Sequence, residues 1–474
     1  MSLSNQTYLV YDTETTGLNQ CFDQIMQFAA IRTDLAFNEI ERHEFLVRLN
    51  PDAIPSPEAI LIHRISPSLC RQAELTEYAA IQKIHHLFNE PGTISLGYNT
   101  LGFDDALLRF GFYRNLLTPY THQYANGCSR MDLYPITAAF ALFQPDCLIW
   151  PTINGKPTLR LEHLSSANQL THGQAHHAMV DVEATIALAK KLSTHNKTWD
   201  YLTGFFNKQI DNQRIEQIPR HACGQRYAFL FNGKFGVEQQ FQKPALLLGP
   251  HQHYRNQTVW LHLDQMTLTD LTVSELNEKT FTTFRKPADT YFILPPKPRF
   301  AQRLNPTRLA LTHKNLDHLT QYPEILKQLQ RYHCRYTYPE VPNIDIDAAL
   351  YSRPFPDDAT SHLLNQFHLA KNTDKKAFLK HFIDPGYREL TQRLLARNFP
   401  DLLSPEEREQ FLTECFEERV DYRNQRRINV QEALIRCEDC EKNDLDSEQQ
   451  KLLAELRDYL YLAQHKQLTV PRTT

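Results

Sequence analysis

The chain has 474 residues, 41% of them hydrophobic and 22% charged, with a formal net charge of −4. That length is too great for one ordinary core and predicts two to four domains. The composition excludes wholesale disorder, and the small net charge excludes a protein that advertises polyanion binding globally. No apolar run reaches membrane-spanning length, and Met1-Ser2-Leu3-Ser4-Asn5-Gln6 does not read as a signal peptide, so a cytoplasmic protein is expected. Nine scattered cysteines then read as reduced thiols, including the lone pair Cys437-Glu438-Asp439-Cys440, which has no second pair to complete a zinc site.

In chain order, the first segment is Tyr8-Leu9-Val10-Tyr11-Asp12-Thr13-Glu14-Thr15-Thr16-Gly17, a buried-strand pattern that ends in two acids. Side chains alternate along a strand, which puts Asp12 and Glu14 on one face. Two such carboxylates repel unless a cation lies between them, and their oxygens suit Mg²⁺ or Mn²⁺. The competing reading is a pair of solvated acids. Segments 27–32 and 44–49 continue a strand meander. Residues 57–90 read as helical, with Ala80, Ile81, Ile84 and Leu87 on one stripe. Segment 93–98 is a short strand, and Asn99-Thr100-Leu101-Gly102-Phe103 turns out of it into a helix opened by Asp104 and Asp105. Helices are expected at 129–143, 160–170 and 175–192, closing a mixed α/β domain near residue 195.

The texture then changes. Strands at 227–231, 258–263 and 290–294, with some helix near 315–330, form a mostly β domain. Between Leu202 and Lys314 there are fifteen Lys/Arg against eight Asp/Glu, whereas 401–450 holds seven against fifteen. A basic middle and an acidic tail suit a nucleic-acid groove with an outlying acidic face, although ordinary surface variation gives the same counts. Prolines 339, 342, 354 and 356 mark a linker, and 359–465 is helical throughout. The division expected is 1–198, 199–352 and 353–474.

Two more acidic sites complete a constellation. Gly97-Tyr98-Asn99-Thr100-Leu101-Gly102-Phe103-Asp104 delivers Asp104 at a helix start. Ala175-His176-His177-Ala178-Met179-Val180-Asp181 delivers a histidine and Asp181 at another. Four acids and a histidine can hold two divalent ions with a base beside them. The histidine is ambiguous from geometry alone: at about 100° per helical residue, His177 shares a face with Asp181, and His176 sits about 140° away unless the chain there is not yet helical.

Asp-x-Glu-x-x-Gly, Asn-x-x-x-Phe-Asp and His-x-x-x-x-Asp in this order resemble the DEDD exonucleases of the His subclass. Phe28-Ala29-Ala30-Ile31-Arg32-Thr33-Asp34, Phe112-Tyr113-Arg114-Asn115, Arg160-Leu161-Glu162-His163-Leu164 and Ala396-Arg397-Asn398-Phe399-Pro400 resemble the bacterial exonuclease I family within that superfamily. The resemblance implies three sections: a ribonuclease-H-like exonuclease domain, an SH3-like β domain and a helical C-terminal domain. It also implies a 3′→5′ exonuclease that degrades single-stranded DNA processively to 5′-mononucleotides with two Mg²⁺ ions, Mn²⁺ being able to substitute. A role in DNA repair and recombination, and docking to the acidic tail of the single-stranded DNA-binding protein, follow from the same resemblance, and a monomer is expected. Leu294-Pro295-Pro296-Lys297-Pro298 departs from the family form.

On this reading Asp12, Glu14 and Asp181 ligate metal, and Asp104 does so directly or through water. The subclass spacing of five selects His176 as general base, and the motif register selects Asp104 over Asp105. Substrate contacts are expected from Glu14, Asn99, Phe103 and Arg160, base stacking from Tyr120, Tyr124 and Tyr201, and phosphate contacts from Arg109 and Lys208. Arg160 as a surface helix cap and the tyrosines as core residues are the competing readings. A proofreading or RNA-trimming exonuclease and a non-catalytic scaffold are the alternative functions.

Overall fold

The computed structural model describes residues 6–171, 177–272, 274–415 and 419–465. The chain divides into two compact units. One comprises Met1–Arg130, Thr171–Ile186 and Glu340–Thr474; the other comprises Met131–Leu170 and Ala187–Pro339.

The first unit is built on strands β1 (Thr7–Thr15), β2 (Ile25–Thr33), β3 (Glu39–Leu46) and β4 (Thr93–Gly97). With β5 (Ser129–Asp132) they form a sheet of order β3-β2-β1-β4-β5. β1 runs antiparallel to β2 and parallel to β4. Leu9, Tyr11, Phe28 and Ala30 lie in one core with Ala80, Ile81, Ile84 and Leu87 of the helix Glu77–Asn89 and Leu107, Leu108 and Phe112 of the helix Asp104–Arg114. The stripe expected at 80–87 is therefore the sheet-facing side of its helix. The single helical stretch read at 57–90 is three helices, Pro57–His63, Pro67–Arg71 and Glu77–Asn89. Ser56, Ser66 and Thr76 each cap one of them, and prolines at the starts of the first two set new N-termini.

The C-terminal helices build onto this same unit. Tyr387, Leu390 and Leu394 of the helix Pro385–Asn398 share a core with Tyr78, Phe110 and Tyr113. Cys437 and Cys440 sit buried with Met26, Leu49 and Ile60, and the described cysteines are free, as read from the sequence. A buried ionic network locks the arrangement. Arg397 pairs with Asp52 at 2.7 Å and Asp347 at 2.5 Å, Arg393 with Asp345 at 2.7 Å, and Arg427 with Asp347 at 2.9 Å. The surrounding guanidinium groups hold Asp52 down to about 2 in spite of its burial.

The second unit holds the helices Leu133–Phe143 and Leu161–Asn168 and a five-stranded antiparallel sheet. Its order is Thr282–Arg285, Thr258–His262, Gln242–Pro250, Tyr227–Phe231, Phe292–Leu294. Ala228, Leu230, Ala245, Trp260 and Ile293 fill its core. The sequence reading missed Gln242–Pro250, whose two prolines mask it, and Thr282–Arg285, which is only four residues long. Helix was expected from Ser129; instead Asp132 ends β5 and caps the helix by accepting from the Tyr134 amide at 2.9 Å. No helix among the described residues is long and apolar enough to cross a membrane.

Candidate active site

β1 carries the first two acids. Asp12 lies opposite Ala29 and Glu14 opposite Gln27, and the register shifts between Glu14 and Thr15. Ala29 is a small, fully buried neighbour for Asp12, and the pairing of β1 with β2 becomes irregular just where the second carboxylate is presented. Asp181 comes from the first turn of the helix Ala178–Ser193. Carboxylate oxygens of Asp12, Glu14 and Asp181 all lie within 4.8 Å of one another.

Asp104 opens its helix after a corner in which Asn99 takes a left-handed backbone, φ 65°. Asparagine tolerates that conformation, which explains its place between strand and helix. The Thr13 hydroxyl donates to the Asp104 carboxylate. Sequence reading overlooked Thr13, because a threonine between two acids looks like ordinary strand filler.

The electrostatics are those of an anion cluster. Burial, then repulsion from Glu14, Asp104 and Asp181, raises Asp12 well above the usual carboxylate range. Burial, then Asp181 and Asp104, pushes Glu14 up to about 8. Groups of this kind are relieved by protons or by a hard cation with oxygen preference.

Asp105 has a different job. It is 2% exposed and binds Arg130 at 2.6 Å, Arg109 at 3.2 Å and His122 at 3.3 Å. Arg130 and Arg109 drive its carboxyl far below the usual range despite burial. Arg109 is thus engaged by a buried acid four residues earlier on its helix, and its guanidinium also lies 5.7 Å over Tyr120 and 5.6 Å over Tyr351. Tyr120 and the exposed Tyr124 line a cavity of about 590 Å³ with Tyr351 and Phe355.

His176 lies outside the described residues. His177 is exposed; its carbonyl accepts from the Val180 and Asp181 amides at 2.8 and 3.1 Å, and its ring approaches Glu44 at 3.6 Å. It opens the Asp181 helix, as expected of a residue covering the helix start. Asn99 is exposed and Phe103 half-buried against the sheet core.

Three further candidates belong to the second unit. Arg160 is exposed, occupies the N-cap of its helix without a side-chain capping bond, and reaches Glu162 at 3.7 Å. Lys208 is exposed at the first turn of the helix Lys208–Glu216. Tyr201 is held edge-on by Phe205 at 5.4 Å and covered by Arg214 at 4.4 Å, which is a packing environment.

Comparison with known proteins fits this geometry. Residues 9–189 match the Exonuclease family and residues 344–462 the Exonuclease I C-terminal domain. Exodeoxyribonuclease I of Escherichia coli strain K12 is 32% identical over 432 residues, covering 86% of this chain and 88% of that protein.

The chain belongs to the exodeoxyribonuclease I family.

It is accordingly a nuclease, with the ribonuclease-H-like exonuclease domain and helical C-terminal domain of that family. The crystal structure of E. coli exonuclease I in complex with a dA16 oligonucleotide has a TM-score of 0.86 at 28% identity, covering 97% of this chain and 100% of that one. A zinc-bound form of the E. coli exonuclease I complex with single-stranded DNA has a TM-score of 0.85 at 28% identity, with the same coverage of both chains. Asp12, Glu14, Asp104 and Asp181 all fall within the segment matched to the Exonuclease family.

Proposed function

We propose that this exonuclease I family member removes mononucleotides from the 3′ end of single-stranded DNA by divalent-metal-dependent hydrolysis, in DNA repair and recombination. The observation that carries the reading is the cluster of Asp12, Glu14 and Asp181, with oxygens within 4.8 Å of one another. Asp12 and Glu14 there are raised by burial and mutual repulsion. An oxygen-only donor set that repels itself when ionised fits hard divalent cations, and Mg²⁺, with Mn²⁺ as a substitute, is the pair we assign. Asp12, Glu14 and Asp181 would hold two such ions, with Asp104 joining directly or through water. The zinc-bound E. coli complex supports a divalent ion in this family, and the dA16 complex supports single-stranded DNA as the substrate.

When bound, the cations supply positive charge that acidifies the attacking water and steadies the departing oxygen. The chain's own residues do the rest. His176, five residues before Asp181, takes the proton from water as general base. Thr13 restrains Asp104 through its hydroxyl. Asn99 and Phe103 border the strand end at the Asp104 corner, and Glu14 faces the terminal nucleotide. Arg160 and Lys208 contact phosphates, and the exposed Tyr124, with Tyr120 beside it, stacks bases. Arg109 can reach a phosphate only by sharing its contact with Asp105, and Tyr201 can stack a base only by giving up Arg214.

The division into exonuclease (1–198), SH3-like (199–352) and helical (353–474) domains, a monomeric state, a cytoplasmic location and docking of the acidic tail of the single-stranded DNA-binding protein belong to the same proposal. Its test is digestion of labelled single-stranded DNA, duplex DNA and RNA, each with Mg²⁺ and with chelator. Metal-dependent loss of the single-stranded DNA alone is expected. Preferential RNA digestion, or turnover in chelator, overturns it.

A further inference from the structure

The loop Thr16–Gln24 follows the strand that carries Asp12 and Glu14, and it is cross-braced from within. Asp23 accepts from the Thr16 hydroxyl at 2.8 Å and from the Asn19 amide at 2.6 Å, while the Gln24 amide donates to Thr16 Oγ1 at 2.9 Å. A second brace comes from about four hundred residues later. Asp421, 2% exposed, accepts from the Arg423 and Gln425 amides at 2.8 and 2.9 Å and so fixes a tight turn, with Asn424 at φ 61°. The other Asp421 oxygen accepts from Asn19 Nδ2 at 3.0 Å.

Arg423 extends from the same turn and donates from Nη2 to Gln20 Oε1 at 2.9 Å. Gln20, 5% exposed, passes the contact on: its Nε2 donates to the carbonyls of Gly102 at 3.1 Å and Phe103 at 3.4 Å. Those two residues immediately precede Asp104. Phe103, the N-cap residue of the Asp104 helix, makes no side-chain capping bond of its own. Tyr422 completes the link, with its ring stacked 6.1 Å from Phe110 on that helix and Arg423 lying 5.0 Å over it.

We infer that Gln20 and Arg423 are positioning residues for the Asp104 carboxylate, so that a turn of the C-terminal section sets the geometry of the acid cluster. A buried glutamine amide suits this role because it accepts at one end and donates at the other, which relays position without adding charge to an already crowded anionic site. Partners in such an outer layer typically govern metal affinity or activity by 10–100-fold. The inference rests on the assignment of Asp104 to the catalytic cluster.

The test uses the full chain and five variants: Gln20→Met, Arg423→Met, the Gln20→Met/Arg423→Met double variant, Arg423→Lys and Asp104→Asn. Methionine keeps the bulk and removes the hydrogen bonds; lysine keeps one donor for Gln20. The readouts are Mn²⁺ binding followed by the free-ion electron paramagnetic resonance signal, kcat and KM on a single-stranded oligonucleotide, and thermal melting. Gln20→Met and Arg423→Met are expected to weaken Mn²⁺ binding about 3–10-fold and to lower kcat about 10–100-fold. KM should stay within about twofold, because neither side chain is assigned to substrate. Arg423→Lys should recover most of both losses. The Gln20→Met/Arg423→Met double variant should be no worse than the poorer single, because the two act in series. Wild-type Mn²⁺ binding and kcat in Gln20→Met, or losses that multiply in the double variant, overturn the inference. Asp104→Asn separates the two claims: if it is impaired and Gln20→Met is not, only the relay fails. An unimpaired Asp104→Asn removes the assignment of Asp104 and the relay together.

Discussion

Replacing Asp181 by asparagine should inactivate the enzyme and, in the absence of metal, stabilise it at alkaline pH. Glu14 is held at about 8 against an ordinary value of 4.5, with burial as the first cause and Asp181 as the second. The whole displacement corresponds to about 5 kcal/mol, at about 1.4 kcal/mol per tenfold change in proton affinity. Asp181 is not the largest contributor, so its share is on the order of 1–2 kcal/mol. The sign follows from linkage. A carboxyl raised in the folded state binds more protons there than in the unfolded chain. Its favourable contribution is therefore complete below about 4.5 and is lost as pH rises through about 8. Chelated wild type should accordingly lose stability between pH 5 and 8.5. Asp181→Asn should lose less, and melt about 1–3 °C above wild type at pH 8.5, with the difference closing near pH 5. The assay is thermal melting in chelator at both values, with cleavage measured in parallel. A variant that melts below wild type at pH 8.5, or whose advantage does not depend on pH, would refute the reasoning.

Other consequences are simpler to check. Asp12→Ala and Glu14→Ala should abolish cleavage while binding of a single-stranded oligonucleotide, measured by anisotropy in chelator, stays within a few-fold of wild type. His176→Ala should lower turnover by roughly 10²–10⁴-fold, the usual worth of a general base, whereas His177→Ala should retain most activity; the reverse pattern would move the base to His177. Arg397→Ala should cost about 3 kcal/mol in denaturant unfolding, because it strips buried Asp52 and Asp347 of a shared partner. Affinity for a long single strand should fall steeply between 50 and 200 mM salt if several cations of the 202–314 stretch contact phosphates, and a flat response would exclude them.

Periodicity made one part of the acid cluster legible, and the family resemblance supplied the rest of the candidate site. Asp12 and Glu14 share a face because strands repeat every two residues, and that holds whatever packs above them. Asp104 was singled out from Asp105 only by the Asn-x-x-x-Phe-Asp register of the family resemblance, since the corner at Asn99 and Gly102 opens the helix with either acid. Asp105 was legible only in part: helix capping was expected, but nothing in the sequence shows that it is buried and draws in Arg109, Arg130 and His122 from three segments. Arg109 therefore reads as a free phosphate contact until its partner four residues earlier is seen to be buried. Gln20 and Arg423 were invisible because their meaning lies in contacts some four hundred residues apart. In the fold, short or proline-bearing strands such as Thr282–Arg285 and Gln242–Pro250 escaped because pairing with neighbours, rather than local propensity, makes them strands.

Metal-dependent hydrolysis from the 3′ end is tested most directly by a single-turnover experiment with 5′-labelled single-stranded DNA, titrated with Mg²⁺, comparing wild type with Asp12→Asn. This mechanism predicts products shortened stepwise from the 3′ end, a rate that rises with Mg²⁺ and vanishes in chelator, and no cleavage by Asp12→Asn at any Mg²⁺ concentration. Cleavage by wild type that is indifferent to Mg²⁺, or near-normal cleavage by Asp12→Asn, would contradict it.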